Sequence, residues 1–177
     1  ITAGSSQIFV WTYTSVGAGT VNLAGSATGK DANSQAITSS AQTTSNNVLI
    51  QVPGQLAITN LVASPSSVGT GKSLTVVMTV QNTGETTMRN VSGTALVPSN
   101  AIVINPTGPI PAVVTSLIGG ATTSFTYTWQ ADTAGNVNFT GAVLGTDENT
   151  GVTQTVAALT SSNTINLSLI HISEPTR

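Results

Sequence analysis

Asp31, Asn33, Asp147, Glu148 and Asn149 are the residues of this chain best suited to hold a metal ion. They lie in two short runs, Gly29-Lys30-Asp31-Ala32-Asn33 and Gly145-Thr146-Asp147-Glu148-Asn149, each between two strand-like segments. Calcium takes about six to eight oxygens, so one such loop would supply part of a shell and backbone carbonyls or a neighbouring segment the rest. A tight hairpin turn selects the same residues, because Asp and Asn side chains satisfy nearby backbone N–H groups. Turn and calcium site are therefore both readings of these loops, and no other cofactor is expected.

Other chemistry fails on spacing or on count. Gly69-Thr70-Gly71-Lys72-Ser73 resembles the end of a phosphate-binding loop, but the first glycine of that motif would stand at Ser66, and a strand pattern follows where a helix is needed. Asp147 and Glu148 are the only adjacent acids. Neighbours on an extended hairpin diverge and cannot face one cleft as a glycosidase pair does. There is no cysteine, and the single histidine, His171, falls in the adapter-like tail from Leu167 to Arg177, so no nucleophile and base can be assembled, and the chain is expected not to be an enzyme. Asn90-Val91-Ser92 and Asn138-Phe139-Thr140 match the N-glycosylation pattern, but with Ser and Thr at 51 of 177 positions such matches carry no weight.

Six of the seven aromatic residues fall in two strands, as Phe9, Trp11 and Tyr13 and as Phe125, Tyr127 and Trp129. An exposed row of this kind could stack on sugar rings. Val10, Thr12, Thr126 and Thr128 occupy the alternate positions, however, and this alternation places the aromatics in a core.

The last residues, Leu167 to Arg177, resemble a translated sequencing adapter, and a scar of that kind is set aside from fold reasoning. His171, Glu174 and Arg177 go with it. Three cations remain, Lys30, Lys72 and Arg89, too few for a surface that neutralises about six to ten phosphates, so nucleic acid is not an expected partner. Charged residues are 6% of the chain and hydrophobic ones 39%. That apolar share separates it from a disordered segment, and no uninterrupted apolar run is long enough to span a membrane as a helix. The absence of cysteine means only that no disulfide pins the fold.

Laid over Leu117, Ile1 begins an ungapped match of the chain with itself that pairs Gly4 with Gly120, Phe9 with Phe125, Gly25 with Gly141, Gly29 with Gly145, Asp31 with Asp147 and Asn47 with Asn163. A fixed period is the mark of repeat architecture. Period-two alternation predicts strands near 56–63, 73–81, 87–97, a short one at 101–104, then 122–130, 136–146 and 153–166. Ser64-Pro65-Ser66-Ser67 and Asn82-Thr83-Gly84 supply reversals, and Pro106, Pro109 and Pro111 read as a long loop. The expected fold is all-β: an immunoglobulin-like Greek-key sandwich of about seven strands per unit. Residues 55–166 make one complete unit, 53–54 the junction, 1–52 the rear three strands of an upstream unit, and 167–177 the adapter-like tail. Without a front sheet, 1–52 is expected to fray or aggregate through open edges.

The segment LAITNLVASPSSVGTGKSLTVVMTVQNTGETTMRNV, with its ASPS, its glycine before an alternating strand and its NTG, resembles the front of bacterial and archaeal CARDB-type (cell-adhesion-related) repeats. GGATTSFTYTWQADTAGNVNFTGAVLGTDENTG is similar to their second half. The resemblance implies a non-enzymatic extracellular or cell-surface module, often one of many, whose partners are neighbouring repeats of the same chain. The expected role is that of a stalk or spacer. The alternative is an accessory module that binds glycan or cell-wall polymer within a secreted enzyme, and lateral packing into a surface lattice is a third reading.

Overall fold

The computed structural model describes residues 1–160 and 163–169. His171, Glu174 and Arg177 lie outside the described residues. The chain forms two compact units, Ile1–Val52 and a second that starts at Pro53. No helix long and apolar enough to cross a membrane occurs among the described residues.

The first unit is one long interrupted hairpin. β1 (Gly19–Val21), β2 (Ala24–Gly25) and β3 (Thr28–Lys30) pair antiparallel with β6 (Val48–Ile50), β5 (Thr43–Thr44) and β4 (Ile37–Ser39) respectively. Phe9, Trp11 and Tyr13 are 61%, 67% and 68% exposed, so the expected core placement of these aromatics fails here. The strand expected at these residues does not form, since they precede β1, and the two-stranded ribbon that follows supplies no second layer to bury them against.

In the second unit the same pattern builds a sandwich. One sheet runs β12 (Val103–Ile110), β14 (Thr122–Ala131), β9 (Ser73–Asn82), β7 (Leu56–Ser64). The other contains β13 (Val114–Leu117), β10 (Met88–Gly93), β16 (Phe139–Asp147) and β17 (Thr153–Thr160), with β11 (Val97–Pro98) beside the start of β16. β9 alternates as its sequence requires, burying Leu74, Val76, Met78 and Val80. Beside it β14 buries Phe125, Tyr127 and Trp129, in a register that sets Phe125 against Met78, Tyr127 against Val76 and Trp129 against Leu74. Trp129 also packs on Phe139 at 5.5 Å between ring centroids. Tyr127 donates its hydroxyl to the Thr94 carbonyl at 2.8 Å, and burial pushes the phenol up to about 12.

Two readings of the sequence are corrected. The proline-rich stretch expected to be a loop is mostly strand: β12 carries Pro106 and Pro109, and β13 follows it. Proline cannot donate to a ladder, but among the described residues β12 is an edge strand paired only to β14, and two register shifts absorb the missing donors. The long strand expected at 136–146 is two, β15 (Gly135–Val137) and β16, because the chain changes sheet at Asn138, and the one expected at 153–166 is likewise divided between β17 and the small sheet that holds β15. β15 joins a small sheet with β18 (Ile165–Ser168) and β8 (Ser67–Gly69), the last pair parallel. β18 extends two residues into the adapter-like tail, where Leu167 is buried.

Candidate functional site

The polar centre of the second unit lies where the chain enters it. Asn82, Thr86 and Asp147 are the buried polar or charged side chains of the described residues, and they surround Pro53–Leu56. Asp147 ends β16 and begins the turn to β17. Its Oδ1 accepts from the Asn149 N–H at 2.9 Å, the Thr150 N–H at 2.7 Å and the Thr150 hydroxyl at 2.9 Å. Its Oδ2 accepts the Gly54 N–H at 2.5 Å. Gln154, across the hairpin, donates from Nε2 to the Gly54 carbonyl at 2.5 Å and accepts the Leu56 N–H on Oε1 at 3.3 Å.

Asn82 completes the clasp from the other sheet. Oδ1 accepts the Gln55 and Gly84 N–H groups, both at 3.1 Å, while Nδ2 donates to the Thr86 carbonyl at 2.8 Å and the Leu117 carbonyl at 3.0 Å. Both polar atoms of a fully buried amide are thereby satisfied, the condition for burying it at low cost. Thr83 donates its N–H and its hydroxyl to the Gln55 carbonyl. The backbone passes so closely that a methyl at Gly84 would sit 2.1 Å from the Pro53 carbonyl oxygen, and one at Gly54 2.5 Å from the Met88 sulfur. Only glycine fits at either place.

Burial raises the Asp147 pKa, but the hydrogen bonds from Thr150, Gly54 and Asn149 outweigh it and hold the carboxyl below its usual range. Asp31 is held low by the Ser34 N–H and hydroxyl and the Asn33 N–H, in full solvent. The two turns match bond for bond: Asp31 Oδ1 accepts from Asn33 at 2.9 Å and from Ser34 at 2.6 and 2.8 Å. A loop that takes one shape in two surroundings is set by its own residues, as an Asx-type turn is.

Of the residues suited to metal, Asp147 is saturated by N–H and O–H donors, Glu148 pairs with Arg89, and the Asn149 amide lies 3.4 Å from the Thr86 hydroxyl. No group of three or more His, Cys, Asp or Glu side chains converges among the described residues. Asp31 and Asn33 make the same turn in the first unit. Asn82 and Gln154 were missed by the sequence reading; the NTG turn pointed to the place of Asn82 but not to its burial. Because Arg89 and Glu148 are 46% and 41% exposed, Glu148→Gln is expected to change unfolding free energy by under about 0.5 kcal/mol, with the difference vanishing in high salt, as urea melts would show.

No curated protein matches the chain. Among solved structures it is similar to the CARDB domain of a Pyrococcus furiosus protein, crystallised in complex with di-metal ions, at 16% identity and a TM-score of 0.43 over 69% of this chain and 99% of that one. It is also similar to a cohesin module from a Clostridium perfringens family 33 glycoside hydrolase, at 8% identity and a TM-score of 0.39 over 67% and 98%. A PapD-like domain of human CEP192 matches at 13% identity and a TM-score of 0.37 over 66% and 89%. The family model of CARDB matches residues 53–155, more than half of the chain and nearly all of its closed sandwich. By that match, the chain belongs to the CARDB family.

Proposed function

We propose that this protein is a non-catalytic spacer: a repeat module that sets neighbouring parts of a large secreted or cell-surface protein at a fixed distance. The clasp on Pro53–Leu56 carries the reading. A module that spends its buried polar groups on its own incoming backbone is built to remove slack at that end. A linker held by hydrogen bonds to two sheets moves with the sandwich, whereas a free one would behave as coil. The hydroxyl-rich, nearly uncharged exterior supports the same role, since its hydration does not depend on salt. Its partners in this reading are the neighbouring repeats of its own chain, and its setting is outside the cell.

The clasp works without calcium in this proposal, because donors already occupy the Asp147 oxygens that would face an ion. Melting temperature is accordingly expected to be the same in excess calcium and in EDTA. Backbone ¹⁵N relaxation supplies the direct test: the Gly54, Gln55 and Leu56 amides should relax like those of β9. Relaxation typical of free coil at these amides would remove the support for a spacer, and resistance of the parent protein to protease added to intact cells would refute the location.

A further inference from the structure

The first unit keeps, unused, the groups with which the second unit holds its front half. Four features of the rear strands in the second unit engage residues 54–96. Asp147 takes the Gly54 N–H. Asn163 acts as a substitute strand, its Oδ1 accepting the Ala63 N–H at 3.0 Å and its Nδ2 donating to the Ala63 carbonyl at 2.6 Å. The hollow at Gly141 is filled by Leu96 and Met78, and the one at Gly145 by Leu56, Val91 and Met88. Their counterparts in sequence are Asp31, Asn47, Gly25 and Gly29.

Each counterpart is in place and open. Asp31 makes the same turn through Oδ1, while no donor reaches its Oδ2 among the described residues. Among the described residues Asn47 Oδ1 meets only the Asn22 side-chain amide, at 3.4 Å. Among the described residues a methyl at Gly25 or Gly29 would meet nothing within 4 Å. A groove of about 440 Å³ lies there, lined by Phe9, Trp11, Gly25, Thr28, Ser40 and Thr43 among others.

We propose that residues 1–52 are an acceptor surface for one kind of partner, the front half of a repeat like residues 54–96, not already closed on its own rear strands. Its Leu-x-Val-x-Met strand draws residues 9–13, which form no strand in the first unit, into the register β9 keeps with β14, Met against Phe9, Val against Trp11 and Leu against Tyr13. Its Met and Leu side chains fill the hollow at Gly25, a backbone N–H meets Asp31 Oδ2, and a strand backbone pairs with the Asn47 amide. Exposed aromatics alone would also suit a sugar ring. An outward carboxylate oxygen, an amide spaced to mimic a strand and two glycine hollows suit a polypeptide edge. The inference uses only the internal repetition and does not need the spacer role.

Acrylamide quenching tests it, since Trp11 and Trp129 are the only tryptophans and Trp129 is 7% exposed. A chain carrying an additional copy of residues 53–116 joined ahead of Ile1 is expected to lose the quenchable Trp11 signal and to gain a second cooperative thermal transition. The separately produced 53–116 polypeptide, added to the unaltered chain, should protect Trp11 in a saturable way. Asp31→Ala with Asn47→Ala should weaken that binding about tenfold or more, and Gly25→Leu should abolish it, with the melting of residues 53–169 unchanged. Trp11 remaining as quenchable in both formats would overturn the proposal. So would protection of Trp11 by cell-wall oligosaccharides in place of 53–116, or a self-associated chain whose Trp11 is already shielded. Failure of these arms leaves the Gly54–Leu56 relaxation result, and hence the spacer reading, standing or falling separately.

Discussion

Phe125→Ala is expected to lower the unfolding free energy of the second unit by about 4 kcal/mol, while Phe9→Ala changes it by less than about 0.5 kcal/mol. The two phenylalanines are equivalent in sequence, and only their surroundings differ. Phe125, on β14 between β12 and β9, is fully buried in the core, where removing a ring leaves a cavity that the facing sheet cannot collapse into. Phe9 stands 61% exposed on a unit with no facing layer. Domains of this size are stable by about 5–15 kcal/mol, so Phe125→Ala removes a large share of the total. Urea titration followed by Trp129 fluorescence reads the effect, and a loss for Phe125→Ala no larger than that for Phe9→Ala would contradict the burial of Phe125 in a two-sheet core.

The second large effect belongs to Asp147. Asp147→Ala strands four donors at once, the Gly54, Asn149 and Thr150 N–H groups and the Thr150 hydroxyl, around a side chain that is 1% exposed. Leaving buried donors unpaired costs about 1–3 kcal/mol each, and the Gly54 N–H is the most enclosed. A loss of about 3 kcal/mol is expected, or roughly 12–20 °C in melting temperature for a unit of about a hundred residues. Asp147→Asn should cost less, because its amide oxygen can still serve the turn while its NH₂ confronts the Gly54 N–H.

The pH dependence separates charge from packing. The Asp147 carboxyl has a folded pKa below its unfolded value of about 3.9, so its ionised form stabilises the fold fully above that value. This contribution is lost as pH falls through the lower folded pKa. The gap in stability between the native chain and Asp147→Ala should therefore be constant from pH 7 to about 5 and narrow below about 4. A gap that stays constant into acid would show that Asp147 acts through shape and not through its charge.

Much of the fold was legible. Leu74, Val76, Met78 and Val80 alternate so strictly with Thr75, Val77, Thr79 and Gln81 that β9 follows from the side-chain period of a strand alone. Phe125, Tyr127 and Trp129 identify β14 in the same way. Pro106 and Pro109 misled because a proline's effect depends on whether the strand has one neighbour or two, and neighbour number is not written locally. β8 escaped notice because its partner, β18, lies far along the chain and pairs parallel. The same blindness hid the clasp: Gly54 and Asp147 are 93 residues apart, and Gln154 and Gly54 are 100 apart.

The sequence by itself determined the strand alternation, the internal repetition, the Asx-type turns at Asp31 and Asp147 and the poverty of reactive groups. All of these are properties of a residue and its near neighbours. Tertiary structure alone decided which copy of a repeated side chain is buried, which prolines lie on an edge, and where the second oxygen of Asp147 finds its donor. Burial and hydrogen bonding are satisfied by whatever the folded chain brings close, and identical residues at Phe9 and Phe125 meet open solvent in one unit and a second sheet in the other.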